Sequence, residues 1–452
     1  MGTGHEPKTR NVRDTLTSKR EPGSMVDYTS AFLSHSHSDQ PLVKAVATEL
    51  GKRGIVAWLD KDDLYPGQNL VSALKKAIHE QATWVVFLSE EALQSTWVNA
   101  ELETALDHFE KTQQEDRIKP VFLSDPLQLV SGNRLLANRW MNEKGNEVSK
   151  LGITTPSPTT PEKQARDIAD RIAVGVYASL SIDRSRNVII NLDQRGSKRI
   201  GKPQGIPPNH GKVDGPALVF RPQRGIGREK ETIVGEEWLN LASDIRQALQ
   251  TAFISLRWAD QKNIYLSGHA QLGLAYLIGH HFNRSSDAVL YCTDTRGVTF
   301  SNEGWDKTDM LSGGHAHCEA NADAKLPAIP GAPFEEVALI VGRQNIAKGV
   351  LPYLNATRPR TPIAWVRMPQ RLQTSDQVKT LIADVTALAQ RLKRENGCRT
   401  TYLVLGLPFA ATPLFAAHMP YVLDRFVLLE YRADVAGQVD DAETYAELSF
   451  PA

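Results

Sequence analysis

Sulfur is scarce in this chain. Three cysteines (Cys292, Cys318 and Cys398) are spread through 452 residues and form no Cys-x-x-Cys pair. That excludes a disulfide-stapled scaffold and points to a reducing compartment. Net charge is missing as well: 52 Lys and Arg balance 52 Asp and Glu, which removes any bulk electrostatic case for binding DNA. Long unbroken apolar runs are also absent. The closest approach, Thr401 to Met419, is interrupted by Pro408 and Pro413 and followed by Asp424 and Arg425. It reads as a strand turning into a helix, not as the ~20 continuous residues of a membrane span. Residues 1–24 mix basic and acidic side chains without an apolar core, as a solvated tail does and an export signal does not. The expected location is therefore cytoplasmic, with no membrane contact.

What is present is ordinary globular material, 41% hydrophobic and 23% charged. At ~150 residues per domain the length allows about three compact units. From Tyr28 short apolar runs alternate with helically spaced stretches, the pattern of an α/β fold with a parallel sheet. Ala31 to Leu33, Ile55 to Leu59, Trp84 to Leu88 and Pro120 to Leu123 read as strands. Leu42, Val43, Val46, Ala47 and Leu50 mark a helix after the first strand; Leu70, Leu74, Ala77 and Ile78 mark another; Trp97 to Leu106 forms a third. Ile168, Ile172 and Val176 suggest a closing helix. The polar run Ser34 to Asp39 between the first strand and helix supplies helix-capping residues.

Four ordered motifs in this part resemble a TIR domain, over about residues 25–180: Phe32-Leu33-Ser34-His35-Ser36, Trp58-Leu59-Asp60 through Pro66-Gly67, Val85 to Ser89, and Ser95-Thr96-Trp97 through Glu101-Leu102. The resemblance implies a flavodoxin-like fold and either an interaction adaptor or an enzyme that cleaves NAD at the nicotinamide–ribose bond. The enzymes place a glutamate four residues after a tryptophan, which Glu101 and Trp97 match. One carboxylate at the reacting ribose can hold its hydroxyls and stabilise oxocarbenium-like charge. No metal or cofactor is needed, since NAD is the substrate and nicotinamide leaves neutral. Glu101 is thus the expected catalytic residue. Phe32, Ser34, Ser36, His37, Asp60, Gly67 and Trp97 are the expected substrate contacts, Trp97 chiefly as packing that fixes its helix. Ser36 and His37 stand where some members carry a pair of arginines, so phosphate contact here takes another form.

A polar linker, residues 181–186, leads to a second part, 187–452. Asn187 to Leu192 reads as a buried strand, Trp238 to Leu256 as a helix, Ile264 to Leu266 as a strand running into Ser267-Gly268-His269-Ala270, and Ala288 to Tyr291 as another strand. The plan then repeats: an ungapped offset of 138 places Ile264 on Tyr402, Gly268 on Gly406, His280 on His418 and Val289 on Val427, with Val337 to Gln344 standing where Asn187 to Arg195 stood. Two such halves, about 187–296 and 335–452 joined by a 297–334 loop, create a cleft across a pseudo-twofold axis.

This part resembles a SAVED domain, two fused CARF-like (Rossmann-like) units that bind cyclic oligonucleotides, frequently cyclic tri-adenylate. Helix starts, backbone amides, a few cations and aromatic faces suit such a ligand. The candidates at strand ends and helix starts are Gln194, Arg195, Gly268, His269, Arg343, Gln344 and Phe409. Together the two parts resemble the TIR-SAVED effectors of bacterial cyclic-oligonucleotide anti-phage defence (CBASS). The expectation is a cyclic-oligonucleotide-activated NAD glycohydrolase that self-associates into oligomers or filaments with composite TIR–TIR active sites. A TIR adaptor without catalysis and a cyclase making a cyclic ADP-ribose messenger remain open alternatives. Metal sites are not expected: His79-Glu80 lacks a second histidine, and His315-Ala316-His317-Cys318 lacks a fourth ligand.

Overall fold

A computed structural model of the chain describes residues 26–59, 83–113, 117–142, 145, 147–148, 152–154, 160–180, 186–194, 213, 215–222, 232–254, 262–283, 287–294, 296–305, 333–368, 371–419, 425–432 and 440–450. The expected helix over 70–78, most of the 297–334 loop, the tail 1–24 and most of the 181–186 linker lie outside them.

In chain order the first part contains β1 (Val26–Tyr28), β2 (Ser30–Ser34), α1 (Gln40–Lys52), β3 (Val56–Leu59), β4 (Thr83–Leu88), α2 (Glu90–Gln94), α3 (Thr96–Lys111), β5 (Ile118–Phe122), α4 (Pro126–Ser131), α5 (Arg134–Trp140), β6 (Ile153–Thr154) and α6 (Pro161–Leu180). Five of its strands form a parallel sheet in the order β3-β2-β4-β5-β6. Its central strands are apolar on both faces, as a sheet covered on both sides requires. Leu33, Val85 and Phe87 pack with Val43, Val46 and Leu50 of α1 and Ile172 and Val176 of α6. Phe32, Trp84, Val86 and Leu88 pack on the other face with Val98, Leu102, Ala105 and Phe109 of α3.

The second part contains β7 (Asn187–Asp193), β8 (Gly215–Phe220), α7 (Gly235–Ala252), β9 (Asn263–His269), α8 (Leu272–His281), β10 (Val289–Thr293), β11 (Thr299–Ser301), β12 (Glu336–Gly342), α9 (Gln344–Thr357), β13 (Ile363–Arg367), α10 (Ser375–Asn396), β14 (Thr400–Leu405), α11 (Thr412–His418), β15 (Arg425–Tyr431) and β16 (Tyr445–Leu448). The duplication expected from the sequence is present in the strand orders. One sheet runs β8-β7-β9-β10-β11 and the other β13-β12-β14-β15-β16, each ending in one antiparallel strand. The offset of 138 carries β9 onto β14 and β10 onto β15. The halves meet where α8 crosses α11, so closely that a methyl group at Gly279 would lie 2.1 Å from the Pro413 carbonyl oxygen.

Three features depart from the sequence reading. The boundary at residue 25 is displaced, because β1 pairs in parallel with β8 and extends the sheet of the second part; three residues are too few for periodicity to assign a sheet. The 297–334 segment is not all loop, since Thr299–Ser301 pairs antiparallel with β10. Strand β8 opens on Gly215-Pro216, a turn signal in sequence that conceals the strand behind it. Among the described residues, no helix is long and apolar enough to cross a membrane.

Candidate functional site

The helix that follows β2 packs on one face of the first sheet and the helices that follow β4 pack on the other. The C-terminal ends of these neighbouring strands therefore flank a topological switch point, where open α/β sheets bind ligands. Ser34 is the last residue of β2. Its hydroxyl donates to Oε2 of Glu101, and both side chains are shut off from solvent. Glu101 arrives there because Ser95 caps α3, accepting from the Val98 N–H at 3.4 Å and fixing where the helix starts. Trp97 sits one turn earlier on the same helix. A buried carboxylate is costly unless hydrogen-bonded, so the Ser34 hydroxyl is a specific support of the Glu101 charge.

A second polar group adjoins the first. The carboxylate of Asp39 accepts from Ser36 Oγ at 2.5 Å and from Ser89 Oγ at 2.7 Å, tying the β2–α1 loop to the β4–α2 loop. Ser36 also meets Ser38 at 2.8 Å. Asp39 occupies the helix-start position expected of a cap, yet its side chain makes no capping bond and turns to the two serines instead. Sequence reasoning did not single out Asp39 or Ser89. The only signals were that Asp39 closes the polar run after the first strand and Ser89 closes the Val85 to Ser89 motif; their contact spans 50 residues.

Of the expected NAD contacts, Ser34 and Ser36 lie at this crevice, and Trp97 lies on the helix that carries Glu101. Phe32 is buried in the core facing α3, and His37 is exposed beside the crevice. His35, buried, directs Nδ1 at the Leu33 carbonyl 3.1 Å away. Asp60 and Gly67 lie outside the described residues.

In the second part, the candidates occupy corresponding strand ends in both halves. Gln194, just past β7, is buried and paired with Gln271. Its amide donates to Gln271 Oε1 at 3.0 Å, and its carbonyl oxygen accepts from the Gln271 N–H at 2.8 Å. Gln271 Oε1 also accepts from the Ile233 N–H at 2.9 Å. Gln194 thus locks the loop after β7 to the loop after β9. Gly268 has φ +150°, with the Leu192 carbonyl oxygen 2.2 Å from where a Cβ would lie, so only glycine fits between β7 and β9. His269 and Arg343 are exposed, Gln344 opens α9, and Phe409 packs partly against the core. Arg195 lies outside the described residues.

Glu430 was not anticipated. It projects from β15 of one half and accepts from the Leu272 and Gly273 N–H groups of the other, at 3.1 and 2.7 Å. The anion position at the start of α8 is therefore filled from within the protein. The offset of 138 pairs Glu430 with Cys292, a buried thiol whose pKa is raised by burial. The halves are alike in strand order and unlike in charge at this point. Among the described residues no cluster of three or more His, Cys, Asp or Glu side chains could hold a metal ion.

Residues 31–151 match the TIR domain family. That interval contains the switch-point crevice, Ser34, Asp39, Ser89 and Glu101. The TIR domains of the activated Roq1 resistosome, which directly recognises the pathogen effector XopQ, align over 32% of this chain and 98% of theirs at 24% identity, with a TM-score of 0.26. The Cap4 SAVED/CARF-domain containing receptor of Acinetobacter baumannii, solved with the cyclic trinucleotide 2'3'3'-cAAA, aligns over 91% of this chain and 98% of its own at 12% identity and a TM-score of 0.40. The Moraxella osloensis Cap4 receptor aligns over the same shares at 11% identity and 0.37. These scores are too low to transfer residues, so the two halves following the TIR domain stand on their own repeated strand order. No curated protein matches the chain.

Proposed function

We propose that this chain is a cyclic-oligonucleotide-gated NAD glycohydrolase of the CBASS type. The TIR domain performs the chemistry and the two Rossmann-like halves, acting as a SAVED sensor, bind the activator. The observation that carries this is the Ser34–Glu101 pair, a hydroxyl and a buried carboxylate at the switch point between β2 and β4. As the C1'–N bond breaks, its electron pair passes to the pyridinium nitrogen and nicotinamide leaves neutral. Glu101 stabilises the positive charge left on the ribose, with Ser34 holding the carboxylate in place. Water then adds to C1' and releases a proton, giving ADP-ribose.

Gating is supported by the complete burial of Glu101 in the single chain. Substrate reaches it only after rearrangement, which self-association of ligand-bound sensors supplies through tighter ligand binding to the assembled state. Cyclic tri-adenylate is the proposed activator, as the resemblance of the second part to SAVED domains implies.

The test is nicotinamide release from NAD with a panel of cyclic di-, tri- and tetranucleotides, alongside gel filtration. Release with one cyclic nucleotide, together with growth in size and loss in Glu101→Gln, is expected. Full activation without any size change sinks the assembly step. Silence across the panel with intact ligand binding favours the adaptor reading, and chromatography of the products separates ADP-ribose from a cyclised form.

A further inference from the structure

The TIR domain is not simply tethered to the sensor by residues 181–186. Strand β1 pairs with β8 of the sensor sheet, and one residue later the chain enters the TIR sheet as β2. Thr29, fully buried, is the crossing point: its N–H donates to Ala217 of β8 at 2.9 Å, and its carbonyl accepts from the Val56 N–H of the TIR sheet at 2.8 Å. Beyond Thr29 the edge of β8 is paired by a turn of the TIR domain. The Val219 N–H donates to Gly54 at 2.9 Å and the Arg221 N–H to Gly51 at 2.8 Å. Neither glycine has room for a side chain. A Cβ on Gly51 would lie 2.9 Å from the Arg221 carbonyl oxygen, and Gly54 has φ +74° against Phe220.

Between the two glycines, Arg53 is 2% exposed and binds Glu49 at 2.8 Å and Asp170 at 2.7 Å within the TIR domain. Asp244 of sensor helix α7 lies 3.9 Å from it and also pairs with Arg166 of α6. On the sensor side, Arg221 reaches Asp193 at 3.3 Å, the last residue of β7 and the neighbour of Gln194. A contiguous set of ion pairs and backbone bonds thus runs from Asp193 at the end of β7 through Arg221 and the Gly51–Gly54 turn to Thr29. From there β2 leads directly to Ser34.

We infer that Arg221, whose side chain pairs with Asp193 while its backbone N–H holds Gly51, forms with the Gly51–Gly54 turn the joint through which ligand occupancy of the second part reaches the Ser34–Glu101 pair. This rests on the gated-enzyme reading above. The chemistry at each end stays intact when the joint is cut; what is lost is their coupling, which for linked sites of this kind amounts to about 5–150-fold.

The experiment uses the full chain as wild type, Arg221→Ala and Arg221→Lys, which remove or keep the ion pair with Asp193 and leave the backbone bond to Gly51 in place, and Asp244→Asn, which weakens the Arg53 and Arg166 pairs across the same joint. Calorimetry measures the affinity for 3'3'3'-cyclic tri-adenylate, and nicotinamide release measures output. Hydrogen exchange at residues 26–34 is followed without ligand. Arg221→Ala is expected to bind the ligand within about threefold of wild type, to lose at least about tenfold of stimulated release, and to exchange faster at 26–34. Arg221→Lys, which retains the charge facing Asp193, restores part of each. Stimulated release that tracks occupancy as in wild type overturns the joint, as does a large loss of ligand affinity in Arg221→Ala. If wild type binds no ligand or releases no nicotinamide, the gated-enzyme reading has failed. The joint is then judged by exchange alone, and unchanged exchange at 26–34 in both Arg221→Ala and Asp244→Asn removes it.

Discussion

Gly268→Ala separates backbone crowding from ligand contact at the strand ends of the second part. Gly268 pairs with Leu192 across β7 and β9. A Cβ there would lie 2.2 Å from the Leu192 carbonyl oxygen and 2.8 Å from its nitrogen, against the 3.4 Å at which ordinary contact begins. Both neighbours are backbone in the middle of a sheet and cannot swing aside. The φ of +150° adds conformational strain for any L side chain. Strain contributes about 1–3 kcal/mol and overpacking about 1–3 kcal/mol more, so a loss of about 2–6 kcal/mol is expected. At urea slopes on the order of 1–3 kcal/mol per molar, the midpoint of the circular-dichroism transition falls by ~0.7 M or more. Gly235→Ala is the control: its φ of +59° is also left-handed, but nothing lies within 4 Å of its Cβ position. It is expected to lose only about 1–2 kcal/mol. Equal midpoints for the two variants, or a Gly268→Ala shift under ~0.3 M, would refute the reasoning. Normal stability with lost cyclic-nucleotide binding would make Gly268 a ligand contact instead.

Glu101→Gln keeps an acceptor for Ser34 and removes the charge. Ligand-stimulated nicotinamide release should fall by at least about 100-fold while the urea midpoint stays near wild type. Asp39→Ala strands the Ser36 and Ser89 hydroxyls, so stability should drop by about 1–3 kcal/mol. Its KM for NAD should rise more than kcat falls, with Asn partly restoring both in steady-state kinetics. Burial, helped by Arg246 and His280, lowers the His281 pKa from 6.5 to about 4. The unfolded chain therefore binds this proton first, and stability falls as pH drops from 6.5 towards 4. His281→Gln should flatten thermal-shift profiles in that window.

Local pattern was enough for much of this protein. The apolar runs of β2, β4, β7 and β12 and the helical spacing of α1, α3 and α6 depend on neighbours within a few residues, so the α/β class and the duplicated halves were readable. The Trp97–Glu101 spacing is likewise a property of one helix. What sequence could not provide was partnership across long separations. Ser34 meets Glu101 across 67 residues, and Ser89 reaches Asp39 across 50. Asp39 looked like a helix cap because Asp at that position usually is one; its true partner comes from another strand's loop. Gly268 carried a repeated motif but Arg221 carried none, and the role of each depends on which backbone lies against it.

The chain by itself determined which segments become strands and helices, because burying apolar side chains with the right period is a local demand. Only the tertiary structure decided that Val26–Tyr28 belongs to the sheet of the second part and not to the TIR sheet it adjoins. The physical reason is the open edge of β8: its backbone groups must be paired, and β1, Thr29 and the Gly51–Gly54 turn are what the fold brings to them.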